Sequence, residues 1–190
     1  MPVEYFFPKT FYYNDEIIAK EINERLIEFV RLLKTEIPLS TRSNLYTTYG
    51  SVRNILEREA FKELYNVLIE EINIYLNILE TSPGNKFKIT DSWISISSPG
   101  NYERMHSHDG AYISGVYYLK TSPKCGNIIF ETLSDNLWAS TRSKPENFNS
   151  VSFEAKERRL ILFNSIVAHS VGKNLSNDDR IALSFNVAIL

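Results

Sequence analysis

The chain has 190 residues, a net charge of −2, 43% apolar and 23% charged side chains, and one cysteine. That length and balance describe a single globular domain with a full hydrophobic core. They exclude a strongly basic nucleic-acid or acidic-membrane binder, an internal disulfide, and a membrane-spanning helix, which needs about twenty consecutive apolar residues. Eleven Tyr and eleven Phe give the high aromatic content common in β-rich cores. Met1–Pro8 shows no basic stretch followed by an apolar run, and Cys125 sits in a turn-like Pro123-Lys-Cys-Gly126 segment. A cytoplasmic protein without membrane attachment is therefore expected.

Residues 1–85 carry helical patterning and residues 86–190 strand patterning, with no linker between them, so one domain over 1–190 is expected. Asn14 reads as a helix N-cap, with Asp15 and Glu16 favourable to the dipole. Ile18, Ile22, Leu26, Phe29 and Leu33 then recur at helical spacing, with Lys34 in the last turn and Pro38 as the stop. A second helix buries Phe61, Leu64, Leu68, Ile72, Leu76 and Leu79 and ends at Ser82–Asn85, while Glu70 and Glu71 read as a solvated pair. From Lys86 the period becomes two. Strands are expected at 87–90, 93–97, 113–119, 127–131, 151–153, 160–164 and 181–189, with a turn at Ser98–Asn101. The polar 132–150 stretch, with Trp138, Arg142, Lys144 and Pro145, is either a lid or a surface excursion. Many short strands after a helical portion predict a barrel or sandwich with helices on one sheet.

All three histidines of the chain are candidates for one metal site. His106 and His108 form an H-x-H pair before the apolar run Tyr112–Leu119. In an extended strand, residues two apart share a face, so two imidazoles can converge on one ion. His169, among Ile166-Val167 and Ser170-Val171, can close the site from a neighbouring strand. Imidazole suits iron, zinc, copper and nickel, so the pattern names donors before it names a metal. The competing reading is three ordinary strand histidines.

The segments Gly100-Asn101-Tyr102, His106-Ser-His108, Ser114-Gly-Val-Tyr-Tyr-Leu119, Gly126-Asn-Ile-Ile-Phe-Glu131, Leu162-Phe-Asn-Ser165, His169-Ser-Val171 and Arg180–Asn186 occur in an order with a known counterpart. Together they resemble the 2-oxoglutarate- and Fe(II)-dependent oxygenases related to prolyl 4-hydroxylases, over roughly residues 91–188. The resemblance implies a mainly β double-stranded β-helix, or jelly roll, over residues 86–190, with residues 1–85 as a helical support packed on one sheet. It implies a hydroxylase using Fe(II), 2-oxoglutarate and O2 and releasing succinate and CO2. His106, His108 and His169 are then the metal ligands and catalytic centre. Arg180, Tyr118 and Ser184 are the residues for the cosubstrate. An arginine fork matches a carboxylate, and a tyrosine adds an oriented donor.

The chain departs from the wider superfamily in two places. Many relatives use His-x-Asp, whereas His108 stands here with Asp109 adjacent, as an outer partner or a substitute ligand. Ala182 stands where a serine is common, with Ser184 further along the same face, and Ser95 stands where asparagine is common. Tyr112, Trp138 and Arg142 are candidate substrate contacts by position. The substrate class expected is a small molecule or a peptide, not nucleic acid; neither its identity nor the oligomeric state is legible. Two other readings remain open: a three-histidine zinc hydrolase and a non-catalytic jelly-roll binding module.

Overall fold

The computed structural model describes residues 9–37, 45–81, 86–132 and 148–190. Trp138, Arg142 and most of the 132–150 stretch lie outside the described residues, as do Pro38 and Ser82–Asn85. The elements run β1 (Phe11–Asn14), α1 (Lys20–Glu36), β2 (Tyr46–Thr47), two single 3₁₀ turns, α2 (Lys62–Ile78), β3 (Phe87–Ser97), β4 (Glu103–His106) and β5 (Ile113–Lys120). They continue through β6 (Ile128–Glu131), β7 (Ser150–Phe153), β8 (Leu160–Asn164), β9 (His169–Val171) and β10 (Arg180–Ile189). Six strands form one sheet in the order β1-β8-β5-β10-β3-β2, and four form a second in the order β4-β9-β6-β7. Every strand pair in both sheets is antiparallel. This is the expected double-stranded β-helix with α1 and α2 beside it.

Strand alternation divides the large sheet between two cores. Ile94 and Ile96 of β3, Tyr117 and Leu119 of β5, Leu160 and Leu162 of β8, and Ile181, Leu183, Phe185 and Val187 of β10 pack with the helices. Their neighbours Val116, Tyr118, Ile161, Phe163 and Ala182 point the other way and join Ile128 and Phe130 between the sheets. Because both faces of the middle strands are covered, β5, β8 and β10 are apolar almost throughout. Gly115 is required where β5 meets β10, since a Cβ there would sit 2.2 Å from the Phe185 ring.

Three expectations are corrected by tertiary partners. Asn14 is not an N-cap: it ends β1, pairs with Leu160, and its amide donates to Glu71 Oε1 at 2.9 Å. Helix α1 begins instead at Lys20, where Ala19 has no side chain able to cap it, and Asp15 is engaged by Arg159 and Lys156. Glu71 is not solvated; it is 8% exposed and accepts hydrogen bonds from Tyr12 and Asn14, whereas Glu70 is exposed as expected. The two strands expected at 87–90 and 93–97 are one strand, interrupted by a bulge in its pairing with β10. Among the described residues, no helix is long and apolar enough to cross a membrane.

Candidate metal centre

Strands β4 and β9 run antiparallel and set His106 directly opposite His169. His108 lies just beyond β4, not within a strand as the H-x-H pattern suggested. It is brought back by its backbone N–H, which donates to Ser165 O at 3.0 Å in the β8–β9 turn. The three rings then face one another, with centroid separations of 5.1 Å (His106–His108), 4.3 Å (His106–His169) and 5.2 Å (His108–His169). One nitrogen from each lies within 4.8 Å of the others, a spacing able to hold a metal ion. Asp109 is not part of this group: it is exposed, accepts from Ser107 Oγ at 3.3 Å and lines a neighbouring cleft.

The ring chemistry favours metal donation. His106 Nδ1 lies 2.8 Å from Arg104 O, and His169 Nδ1 lies 2.9 Å from Val167 O. A carbonyl only accepts, so each Nδ1 carries a proton, and in the neutral ring each Nε2 is the nitrogen left with its lone pair. Burial pushes the His169 imidazolium down to about 4, against a partial restoring effect of the Val167 carbonyl. Burial also lowers His108, opposed by the charges of Asp91 and Asp109. Neutral imidazoles are the form that binds metal. Phe163 and Phe130 pack on His169 at 4.9 and 5.9 Å, and Trp93 stands 5.6 Å from His108.

The histidines open into a cavity of about 750 Å³ that also takes in Trp93, Ser95, Tyr118, Arg180 and Ser184. Arg180, 4% exposed, starts β10 opposite Ser97. Its Nη1 donates to Cys125 O (3.0 Å) and Gly126 O (2.7 Å), and its Nη2 donates to Ser97 Oγ (2.7 Å). Gly126 makes this approach possible: its φ is +90°, and a Cβ there would lie 2.1 Å from Gly172 O and 3.0 Å from Arg180 Nη1. Asp178, two residues before Arg180 in the chain, pairs with Lys120 at 3.5 Å. Among the described residues, no carboxylate forms an ion pair with this buried cation. Tyr118 is 2% exposed, and burial pushes its hydroxyl up to about 12, so it remains a neutral donor despite the opposing charge of Arg180.

A second cleft shares Tyr49, Gly50, Ser51, Ser107 and His108 with the first cavity. Its outer wall comes from the segment after β2, clamped by Thr48 N–H to Ile94 O (3.0 Å) and by Ser92 N–H to Arg53 O (3.1 Å). Arg53, Asp91, Asp109 and Asn186 also line it. Tyr112, expected as a substrate contact, borders neither space; its backbone joins Val187 and Ser165. Asp91 and Tyr49 had not been singled out. The only sequence sign of Asp91's placement is the break in alternation at 90–92.

Two antiparallel sheets with a histidine trio and a buried arginine between them define a double-stranded β-helix of the 2-oxoglutarate oxygenase type. The fold is similar to HygX from Streptomyces hygroscopicus with nickel and 2-oxoglutarate bound (TM-score 0.65, 15% identity, covering 95% of this chain and 83% of HygX). It is similar to a Pseudomonas putida prolyl-4-hydroxylase (TM-score 0.60, 17% identity, 94% and 91% coverage). It is also similar to the non-heme alpha ketoglutarate dependent epimerase SnoN from nogalamycin biosynthesis (TM-score 0.68, 12% identity, 95% and 76% coverage). At these identities the likeness establishes the fold alone. No curated protein matches the sequence. The family model described as Putative 2OG-Fe(II) oxygenase matches residues 91–186, and the chain belongs to that family.

Proposed function

We propose that this chain is a non-haem Fe(II)- and 2-oxoglutarate-dependent dioxygenase that hydroxylates a small-molecule or peptide substrate. The observation that carries the reading is the convergence of three imidazoles in one cavity with a buried arginine that forms no ion pair among the described residues. His106, His108 and His169 would hold Fe(II), for which neutral imidazole is a suitable donor. Bound iron and 2-oxoglutarate would supply the oxidising chemistry, consuming O2 and releasing succinate and CO2.

The remaining work falls to the protein. An arginine has five N–H donors, and three of those on Arg180 are taken by Cys125, Gly126 and Ser97. Among the described residues, the Nε–H and one Nη2–H have no other acceptor and would serve the distal carboxylate of the cosubstrate. Tyr118 adds a hydroxyl donor from the same cavity, and Ser184 adds a second polar group. Val116, Ile128 and Phe163 line the space with apolar surface, which keeps water away and strengthens the charge-assisted bonds to Arg180. The second cleft, which reaches His108 from outside, offers the substrate a separate approach.

Three neutral imidazoles also suit zinc, so a zinc hydrolase shares the donor set; it leaves the buried Arg180 without a role. A binding module without metal leaves the convergence of the histidines unexplained. Anaerobic mixing with Fe(II) and 2-oxoglutarate should give a weak visible charge-transfer band, and His169→Ala should abolish iron binding. Absence of the band, together with no succinate under oxygen, would refute the oxygenase reading. Stoichiometric zinc unaffected by 2-oxoglutarate would favour the hydrolase.

A further inference from the structure

Asp91 occupies a position that regular alternation would deny it. The β10–β3 ladder pairs Asn186 with Asp91 and Val187 with Ile89, so Thr90 is the extra residue of a bulge. Ile89 belongs to the helix-side core, and strict alternation would send Asp91 and Trp93 to that side as well. The bulge reverses the parity, so Asp91 lines the second cleft while Trp93 and Ser95 line the main cavity. Bulges re-aim side chains in this way beside functional sites.

The carboxylate is then held on both oxygens. Oδ1 accepts from Asn186 Nδ2 at 2.8 Å, and Oδ2 accepts from Thr90 Oγ1 at 2.7 Å. Asn186 Oδ1 accepts in turn from Ser114 Oγ at 2.8 Å. The single proton of Ser114 is thereby used, so the 3.0 Å contact between Ser114 and Ser165 is a bond donated by Ser165. Ser165 O accepts the His108 N–H. Asn186, Ser114 and Ser165 are 7%, 2% and 0% exposed. A buried polar chain of this kind is destabilising unless every member is satisfied, and here each link is made. It crosses β3, β10 and β5 and ends on the backbone of His108. Both donors to Asp91 are neutral, which leaves its negative charge to act on the cleft it shares with His108.

We infer that Asp91 is the outer carboxylate of the three-histidine centre, positioned by the Asn186–Ser114–Ser165 chain. The inference rests on the reading of His106, His108 and His169 as metal ligands. Three neutral imidazoles leave the charge of a divalent ion uncompensated, and a fixed carboxylate in the cleft that reaches one ligand offsets part of it. His106 and His169 are each oriented by a carbonyl. Among the described residues, the His108 ring has no such bond, and its placement depends on the backbone anchor to Ser165.

Asp91→Asn preserves an acceptor for Asn186, and Thr90 has a second acceptor in Asn186 O at 3.3 Å, so the variant removes charge with little change of contacts. Anaerobic calorimetric titration with Fe(II), without cosubstrate, should show affinity about tenfold weaker than in the parent, the lower end of the usual outer-shell effect. Asp109→Asn, whose carboxylate is exposed and screened, should stay within about twofold. Asn23→Ala breaks buried bonds to Leu119 O and Tyr117 on the helix side; it should lower the melting temperature and leave Fe(II) affinity unchanged. Parent-like affinity in Asp91→Asn, or an equal loss in Asp109→Asn, would overturn the assignment. A parent protein that takes up no stoichiometric metal would instead overturn the oxygenase reading on which it rests.

Discussion

Replacing Arg180 tests the cosubstrate end of the cavity, and the choice of replacement matters. Arg180→Leu strips a donor from two backbone carbonyls, those of Cys125 and Gly126, and from Ser97 Oγ. Each buried group left unpaired costs about 1–3 kcal/mol, so several kcal/mol of a total stability of roughly 5–15 kcal/mol would be lost. A failure to bind 2-oxoglutarate would then be uninterpretable. Arg180→Lys keeps the charge but replaces the planar fork with donors radiating from one atom, which cannot serve the carbonyl pair and a carboxylate together. Losing one charge-assisted hydrogen bond to the cosubstrate costs about 1.5–3 kcal/mol, or roughly 10- to 150-fold in affinity. The assay is titration of 2-oxoglutarate into anaerobic, Fe(II)-loaded protein, followed by the charge-transfer band, with melting curves and Fe(II) titrations in parallel. The expected pattern is weakened 2-oxoglutarate binding with Fe(II) affinity retained. An unchanged 2-oxoglutarate affinity would refute the assignment, and loss of iron and cosubstrate in step with the melting temperature would make Arg180 a structural residue only.

Metal-free protein, held with chelator, should lose stability as the pH falls from 6.5 toward 4. His169 titrates at about 4 in the folded chain against an ordinary 6.5, so in that window the unfolded chain binds the extra proton and stability rises with pH. The shift corresponds to roughly 3 kcal/mol, read from denaturant midpoints; a slope no smaller in His169→Gln would count against this origin. Gly115→Ala places a methyl 2.2 Å from Phe185 Cζ and should cost about 1–3 kcal/mol by thermal melting, partly relieved by Phe185→Leu; a neutral Gly115→Ala would show that the ring can yield. Glu71→Leu leaves Tyr12 and Asn14 without their acceptor and should cost about 1–3 kcal/mol. Ultraviolet titration should also show the Tyr12 hydroxyl, pushed up to about 12 mainly by burial and then by Glu71, moving part of the way back toward 10; an unmoved value would leave burial as the sole cause.

How far the chain could be read depended on whether an element's identity is local. Strand β8 was legible residue for residue, because a strand covered on both faces has no polar side and Leu160–Phe163 is apolar throughout. Strand β4 was not, since Glu-Arg-Met-His carries no alternation and becomes a strand only by pairing with β9. Asn14-Asp15-Glu16 satisfies the local rule for a helix start, yet the buried Glu71 carboxylate and Arg159 recruit its side chains for other purposes. A cap is a contest between local and distant partners, and only the local ones are visible in a string of letters.

The candidate site divides along the same line. The histidines could be nominated because the chain has only three, and the convergence of His106 and His169 follows once β4 and β9 pair. The expected reason for that convergence was incomplete: alternation within one strand does not place His108, which depends on a turn carbonyl brought from β8. Asp91 shows the limit most clearly. Its face is set by one extra residue in a ladder, and the same letters without the bulge would bury it against the helices. Deleting Thr90 removes the extra residue itself, so Ile89 and Asp91 become neighbours on opposite faces and Asp91 and Trp93 keep their present side. Trp93 fluorescence, measured in a Trp138→Phe background, should therefore keep its quenching on metal addition, and loss of that quenching would show that Thr90 does more than shift the parity.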